Sequence, residues 1–148
     1  MVPEQIEREI VIAAPLDRVW AAITEAGHIG TWFGDDGAEI DLRPGGVLTL
    51  RWKEHGTFHT TIEKVEPPHR FSFRGAITAG EEPRENNSTL VEFSLTPEGE
   101  GTRLKVVESG FRALDMPEEK RAEYAEGNTR GWIEELAELR EYAQRPAA

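Results

Sequence analysis

"GNTRGWIEELAEL" (residues 127–139) is the stretch that decides how this chain folds. It reads as the middle of an amphipathic helix, because apolar residues such as Trp132 and Leu136 recur at helical spacing. Two glycines, Gly127 and Gly131, interrupt it, and each costs a helix interior about 1 kcal/mol relative to alanine. Two interpretations stay open: the glycines allow a neighbouring backbone to pack closely, or they shape a ligand entrance or a flexible point.

The helix around this stretch is predicted to run from Pro117 to about Tyr142. Asp115 is the predicted N-cap, with Glu118 three residues further on as in a capping box. Pro146 ends the helical potential of the chain. This is the longest helix that the sequence predicts.

The segments before this helix alternate apolar and polar residues and predict an antiparallel sheet. The first strand is Ile6–Ile12, and two short helices follow it, "APLDRVWAAIT" from Ala14 and one turn in "GHIGTWFG" from Gly27. Further strands follow, about seven in all, interrupted by a polar loop at residues 78–88. A sheet that is apolar on one face needs a cover, and only the C-terminal helix is long enough. The predicted fold class is therefore α+β.

Composition limits the possible partners and the compartment. The chain has 148 residues, which favours one domain spanning 1–148, and it carries 17 basic and 28 acidic residues for a net charge of −11. This balance argues against nucleic acid, whose binding depends on Lys and Arg contacts to phosphates. There is no cysteine, no signal-peptide pattern at the start, and no run of about 18 apolar residues. We therefore expect a cytoplasmic protein without a membrane span.

The sequence predicts no metal site and no cofactor. A zinc site requires three or four converging ligands, and the histidines form no i, i+4 pair on a predicted helix. No serine lies in a G-x-S-x-G string, and the "RPGG" segment lacks the pattern of a phosphate loop. The four histidines are His28, His55, His59 and His69.

Six strings in order give the chain a family resemblance: "IAAPLDRVWAAIT", "TWF", "LRPGGVLTL", "KVEPPHRFSF", "GTRLKVVESGF" and "GNTRGWIEEL". Together, over roughly residues 6–143, the chain resembles the heat-shock-protein-90 ATPase activator homologue-like family of the Bet v 1-like/START (SRPBCC) superfamily. The resemblance implies a helix-grip fold, in which a curved sheet and a long helix enclose a cavity. Relatives often carry histidine where this chain has Asn128, and His or Glu at the position of Glu108. If these positions line the cavity, we therefore expect its polarity to differ from that of the cavities in relatives.

The side chains on the concave face are the predicted ligand-binding residues. Because one helix cannot fill all the space over a strongly curved sheet, some of them should border a mostly apolar pocket with few polar groups. Near one end, Trp32 and Phe33 form either a lid or a packed plug. The predicted ligand-binding set is Trp52, Phe58, Thr60, Ile62, Phe71, Phe73, Phe93, Glu108, Asn128 and Trp132.

Glu108 is the single candidate catalytic residue. Strand alternation places it on the face of Leu104 and Val106, where a carboxylate must be paired, hydrated or protonated. Three roles stay open: a general acid/base, an anchor for a polar ligand group, or a carboxylate in water at the strand end.

Three functions are consistent with these observations. The leading one is binding of a small apolar molecule, such as a lipid, an aromatic or a polyketide-like compound. The family name implies a second, modulation of a chaperone ATPase in a stress response, with a chaperone as the protein partner. The third is a cyclase or hydrolase that uses Glu108. The superfamily resemblance also makes a homodimer plausible.

Overall fold

The computed structural model of this protein describes residues 1–145. Seven strands form one antiparallel sheet: β1 (Gln5–Ile12), β2 (Ala38–Ile40), β3 (Val47–Trp52), β4 (Gly56–Glu66), β5 (Arg70–Ala76), β6 (Ser88–Glu98) and β7 (Gly101–Ser109). Their order across the sheet is β1-β7-β6-β5-β4-β3-β2. Six of the seven strands thus follow one another as a meander, and β1 joins at the edge beside β7.

The helices occupy the places that the sequence indicates. They are α1 (Leu16–Thr24), α2 (Ala26–Trp32) and α3 (Glu118–Gln144), with a short 3₁₀ turn at Phe111–Ala113. Helix α2 is seven residues long, longer than the single turn predicted. The curved sheet, the two short helices after β1 and the long C-terminal helix confirm the helix-grip fold. Of the helices between residues 1 and 145, none combines the length and the apolar character needed to cross a membrane.

Strand β7 shows how the sequence pattern sets the concave face. Its residues alternate between buried and half-buried along the whole strand, as the period of two in a strand requires. Val106 pairs with Phe93 of β6, and Glu108 pairs with Val91. Glu108 is therefore carried to the same inner face as the apolar residues before it.

Helix α3 begins later than the capping-box pattern predicts. Pro117 is the N-cap, no side chain caps the helix, and the backbone N–H of Asp115 donates to the carbonyl of Asn86. The prediction of Asp115 as the cap is wrong because a residue before proline avoids the helical region, so Met116 cannot begin the helix. The prediction that Pro146 ends the helical potential falls outside the described residues.

A buried stripe on α3 packs against the sheet and against α1 and α2. Trp132, Leu136 and Leu139 belong to the main core, and each such side chain stabilises the fold by about 1.5–3 kcal/mol. Trp32 is buried in the same core, and its Nε1 donates to the carbonyl of Ala22 at 2.7 Å. Trp32 is therefore a packed plug, as one of the two interpretations of the sequence states.

Candidate ligand-binding cavity

A cavity of about 290 Å³ lies between α3 and the concave face of the sheet. Six Phe, Tyr and Trp side chains contribute to its wall: Phe33, Trp52, Phe58, Phe73, Tyr124 and Trp132. A second, more polar hollow of about 500 Å³ shares Phe33, Trp52 and Glu135 with it. The shared residues mark the side on which the cavity meets this hollow.

The aromatic wall is held by contacts among its own members. Phe33 stacks on Trp132 with ring centroids 5.8 Å apart, and it meets Trp52 edge-on at 5.3 Å. Trp52 in turn meets Phe58 edge-on at 5.6 Å, and its Nε1 donates to the carbonyl of Phe33 at 3.0 Å. Aromatic pairs at such separations are favourable beyond their buried area. The wall is therefore formed before any ligand enters.

Glu108 lines the cavity and is only 4% exposed. Its Oε2 accepts a hydrogen bond from Thr89 Oγ1 at 2.6 Å, and its Oε1 accepts one from Trp132 Nε1 at 2.9 Å. Asn128 Nδ2 lies 3.1 Å from Oε1 and 3.0 Å from Oε2. Of the three roles that the sequence left open for Glu108, the structure excludes the carboxylate in water at the strand end, because its oxygens are paired inside the protein.

The hydrogen bonds around Glu108 occupy both of its oxygens. A carboxylate has about four acceptor positions, and a ligand donor could reach it only by displacing an internal donor. Burial raises the pKa of Glu108, while the hydrogen bonds from Thr89, Trp132 and Asn128 act in the opposite direction. Burial, followed by the charge of Glu108, also raises the pKa of Tyr124 to about 12. This group of residues is suited to holding the Glu108 carboxyl group in a fixed geometry.

A second stripe of α3 faces the cavity directly. Tyr124, Asn128, Gly131 and Glu135 recur at spacings of four, three and four residues, which place them on one side of a helix. All four line the cavity. This spacing is the sequence signal for the role of Tyr124 and Glu135, neither of which was in the predicted set.

Glu135 differs from Glu108 in its partners. Among the described residues, no hydrogen-bond partner reaches its buried Oε2. Burial raises the pKa of Glu135 to about 8, and the charges of Glu138 and Glu134 add to this effect. The cavity therefore holds one carboxylate that is fully satisfied and one that is not.

The glycines of α3 do not accommodate a close neighbour. Within residues 1–145 and beyond the adjoining helix backbone, a Cβ atom placed on Gly127 or on Gly131 would meet no atom within 4 Å. The close-packing interpretation is therefore wrong. Gly131 instead leaves the helix side of the cavity open, because a larger side chain there would point into it.

The structure divides the predicted ligand-binding set into two groups. Ile62, Phe71 and Phe93 are buried in the packed core and do not line the cavity. Their concave-face position is as predicted, but they lie where the core is filled. The residues that do line the cavity are Trp52, Phe58, Thr60, Phe73, Glu108, Asn128 and Trp132.

Some lining residues come from outside the predicted set. Phe33, which the sequence left as a lid or a plug, borders the cavity, and Thr89 holds Glu108 within it. His55 lies at the rim. Within residues 1–145, no group of three or more His, Asp or Glu side chains is arranged to hold a metal ion.

A curved antiparallel sheet closed by one long helix over an apolar cavity defines the helix-grip class of proteins. The chain belongs to the family of Activator of Hsp90 ATPase homolog 1-like proteins, whose model matches residues 13–144. The family resemblance of the sequence strings is thereby confirmed. No curated protein matches the chain.

Several solved structures share the fold. Protein MLL2253 from Mesorhizobium loti is 20% identical with a TM-score of 0.80, over 97% of this chain and 99% of that one. DynU16, a protein in the dynemicin biosynthetic locus, is 23% identical with a TM-score of 0.75, over 95% of this chain and 47% of that one. The Aha1 dimer from Colwellia psychrerythraea is 17% identical with a TM-score of 0.74, over 95% of this chain and 96% of that one. At these identities the likeness concerns the fold.

Proposed function

We propose that this protein binds a small, mostly apolar molecule, of a lipid, aromatic or polyketide-like class, in the cavity between α3 and the sheet. The observation that supports this most is the aromatic wall, which encloses about 290 Å³ and is held by its own ring contacts. Ligand pockets are typically apolar clefts of about 300–1,000 Å³ with a few placed polar groups. The volume here is near the lower end of that range, so a compact ligand fits best.

The neighbouring structures are compatible with this proposal. DynU16 comes from the dynemicin biosynthetic locus, so a similar fold occurs beside the biosynthesis of a small molecule. Within the cavity, the polar groups favour binding over acid–base catalysis, because both oxygens of Glu108 are already occupied. We further propose that residues 1–148 form one domain, with its core at about residues 6–143, and that the protein works in the cytoplasm, which its lack of cysteine suits.

Thermal unfolding with a panel of neutral aromatic compounds, aromatic polyketides, flavonoids, sterols and fatty acids tests the proposal. A ligand at 100 times its Kd stabilises the fold by about 2.7 kcal/mol. For a domain of this size, each kcal/mol raises the Tm by about 2–4 °C. We expect one chemical class to give a clear rise.

A pair of variants shows whether that rise comes from the cavity. Gly131→Leu places a side chain into the cavity, whereas Gly127→Leu makes the same change on the same helix at a residue that does not line it. We expect the ligand-induced rise in Tm to be lost in the first variant and kept in the second. A rise that is equal in both variants, or no rise with any compound, would contradict the proposal.

A protein partner is the second candidate function. The family is described by the activation of the Hsp90 ATPase, and a solved relative is an Aha1 dimer. We propose that this chain, in this second role, modulates a chaperone ATPase, as a monomer or a homodimer. An Hsp90 ATPase assay with added protein should then show stimulation, and sedimentation should give the oligomeric state. An unchanged ATPase rate at saturating protein would reject this role.

A further inference from the structure

The Asp, Glu, Lys and Arg side chains on the cavity wall are all acidic. Glu108 and Glu135 both line the cavity, while no Lys or Arg among the described residues does so. The adjoining hollow adds Asp35, Glu138 and Glu141, and its single arginine, Arg145, pairs with Glu141 at 3.3 Å. A ligand with its own carboxylate would be repelled in such surroundings, whereas a cation would be attracted.

We propose that the cavity selects an amphiphilic cation, an apolar ring system that carries a protonated amine, and that Glu135 is its counterion. This inference rests on the proposed function, because it names the ligand class of the same cavity. Two independent features of the wall support it: a buried carboxylate oxygen without a partner among the described residues, and aromatic rings that line the same two spaces as that carboxylate.

The unpartnered oxygen points to Glu135 rather than Glu108. Both oxygens of Glu108 accept hydrogen bonds from Thr89, Asn128 or Trp132. Oε2 of Glu135 is buried, and no donor within residues 1–145 reaches it. A buried acceptor without a partner is costly, and an ammonium N–H supplies the missing donor through a charge-assisted hydrogen bond.

The aromatic wall adds attraction for the same cation. Phe33 and Trp52 line both the cavity and the hollow, as Glu135 does. A cation over the face of Trp or Phe is stabilised by the ring electrons. Gly131 precedes Glu135 by four residues, or about 6 Å along the helix axis. A ring system over Gly131 would therefore place an attached methylammonium group beside Glu135.

The charge state of Glu135 gives the inference a pH dependence. Burial and the charges of Glu138 and Glu134 raise the pKa of Glu135 to about 8, so a cation must displace a proton at lower pH. An alkylamine, like lysine, stays protonated up to pH 8. Affinity for the cation should rise from pH 6 to pH 8. The other charged or titratable groups lining the two spaces are Asp35, His55, Glu108, Tyr124, Glu141, Tyr142 and Arg145.

Three probes with one ring system separate this inference from the proposed function. They are 2-naphthylmethylamine, 2-naphthalenemethanol and 2-naphthoate, measured by isothermal titration calorimetry at pH 6 and pH 8. We expect the amine to bind about 10-fold more tightly than the alcohol at pH 8, and the carboxylate to bind least. The preference for the amine should shrink at pH 6.

Two variants test the named counterion. Glu135→Gln should remove both the preference for the amine and its pH dependence, while Glu119→Gln, the same change at an exposed residue of the same helix that lines neither space, should keep both. If the alcohol or the carboxylate binds as tightly as the amine, the cation inference is overturned and the proposed function stands. If none of the three probes binds, the cation inference is overturned, and the ligand panel described above decides the proposed function separately. A preference that survives Glu135→Gln rejects Glu135 as the counterion.

Discussion

Replacing the two glycines of α3 with alanine should make this protein more stable. Gly127 and Gly131 are interior residues of a 27-residue helix. In the described part of the chain, a Cβ atom on either would meet no atom within 4 Å apart from the adjoining helix backbone. The usual obstacle to such a change, a clash with a neighbouring element, is therefore missing. Two stabilising effects remain: alanine restricts the unfolded chain more than glycine does, and it has the higher helix propensity.

The magnitude follows from helix propensity. Alanine is favoured over glycine by about 0.8–1.0 kcal/mol in a helix interior. Neither added methyl group displaces an existing contact, so this gain is not offset. For about 150 residues, this corresponds to a rise in Tm of about 2–4 °C for each substitution. The double variant should gain about twice as much stability, because the two sites have no described neighbouring atom in common and their effects should add.

Urea and thermal unfolding of the two single variants and the double variant measure this gain. The midpoint should rise while the m-value stays unchanged. A loss of stability in either variant would refute the reasoning, because it would show that a neighbour packs against that glycine. Only Gly131→Ala should also weaken ligand binding, since Gly131 lines the cavity and Gly127 does not.

Three further predictions concern the carboxylates. Glu108→Leu should lower the free energy of unfolding by about 2–4 kcal/mol, because its buried donors lose their acceptor; an unchanged urea midpoint would contradict this. Thr89→Val, which removes the 2.6 Å bond to Glu108, should lower the free energy of unfolding by about 1.5–3 kcal/mol. Thr60→Val, which removes a bond to a neutral carbonyl, should lower it by about 1 kcal/mol. Equal losses would show that the charge of Glu108 does not strengthen its hydrogen bond. Because the pKa of Glu135 is raised from 4.5 to about 8, the unfolded state ionises first and stability should fall as pH rises through this range. Urea unfolding at pH 5.5 and 8 should show a smaller fall for Glu135→Gln, and the full fall for Glu119→Gln, whose carboxylate is exposed on the same helix.

Periodicity in the sequence was enough to predict the elements and their buried faces. The period of two in β7 placed Glu108 inward beside Leu104 and Val106, and its 4% exposure agrees. The helical stripe through Trp132 and Leu136 likewise identified the side of α3 that packs on the sheet. These predictions succeed because they depend only on how the backbone repeats.

Periodicity does not say how deep a residue lies along a face. Phe71 and Phe73 share one face of β5, yet Phe71 is in the filled core and Phe73 borders the cavity. The helix start was also mispredicted, because Pro117 outweighs the cap signal of Asp115. The stripe of Tyr124 and Glu135 was visible in the spacing, but polar residues at such spacing ordinarily face water.

The sequence by itself determined the order of the elements, the inward face of each strand and the fold family, since these follow from local patterns along the chain. Only the tertiary structure decided which inward residues border an empty space and which carboxylate lacks a partner. Both depend on the separation of α3 from the sheet, which is set by the packing of side chains far apart in sequence. Gly131 illustrates the difference: its cost to the helix is evident from the sequence, but the open space beside it exists only in the folded protein.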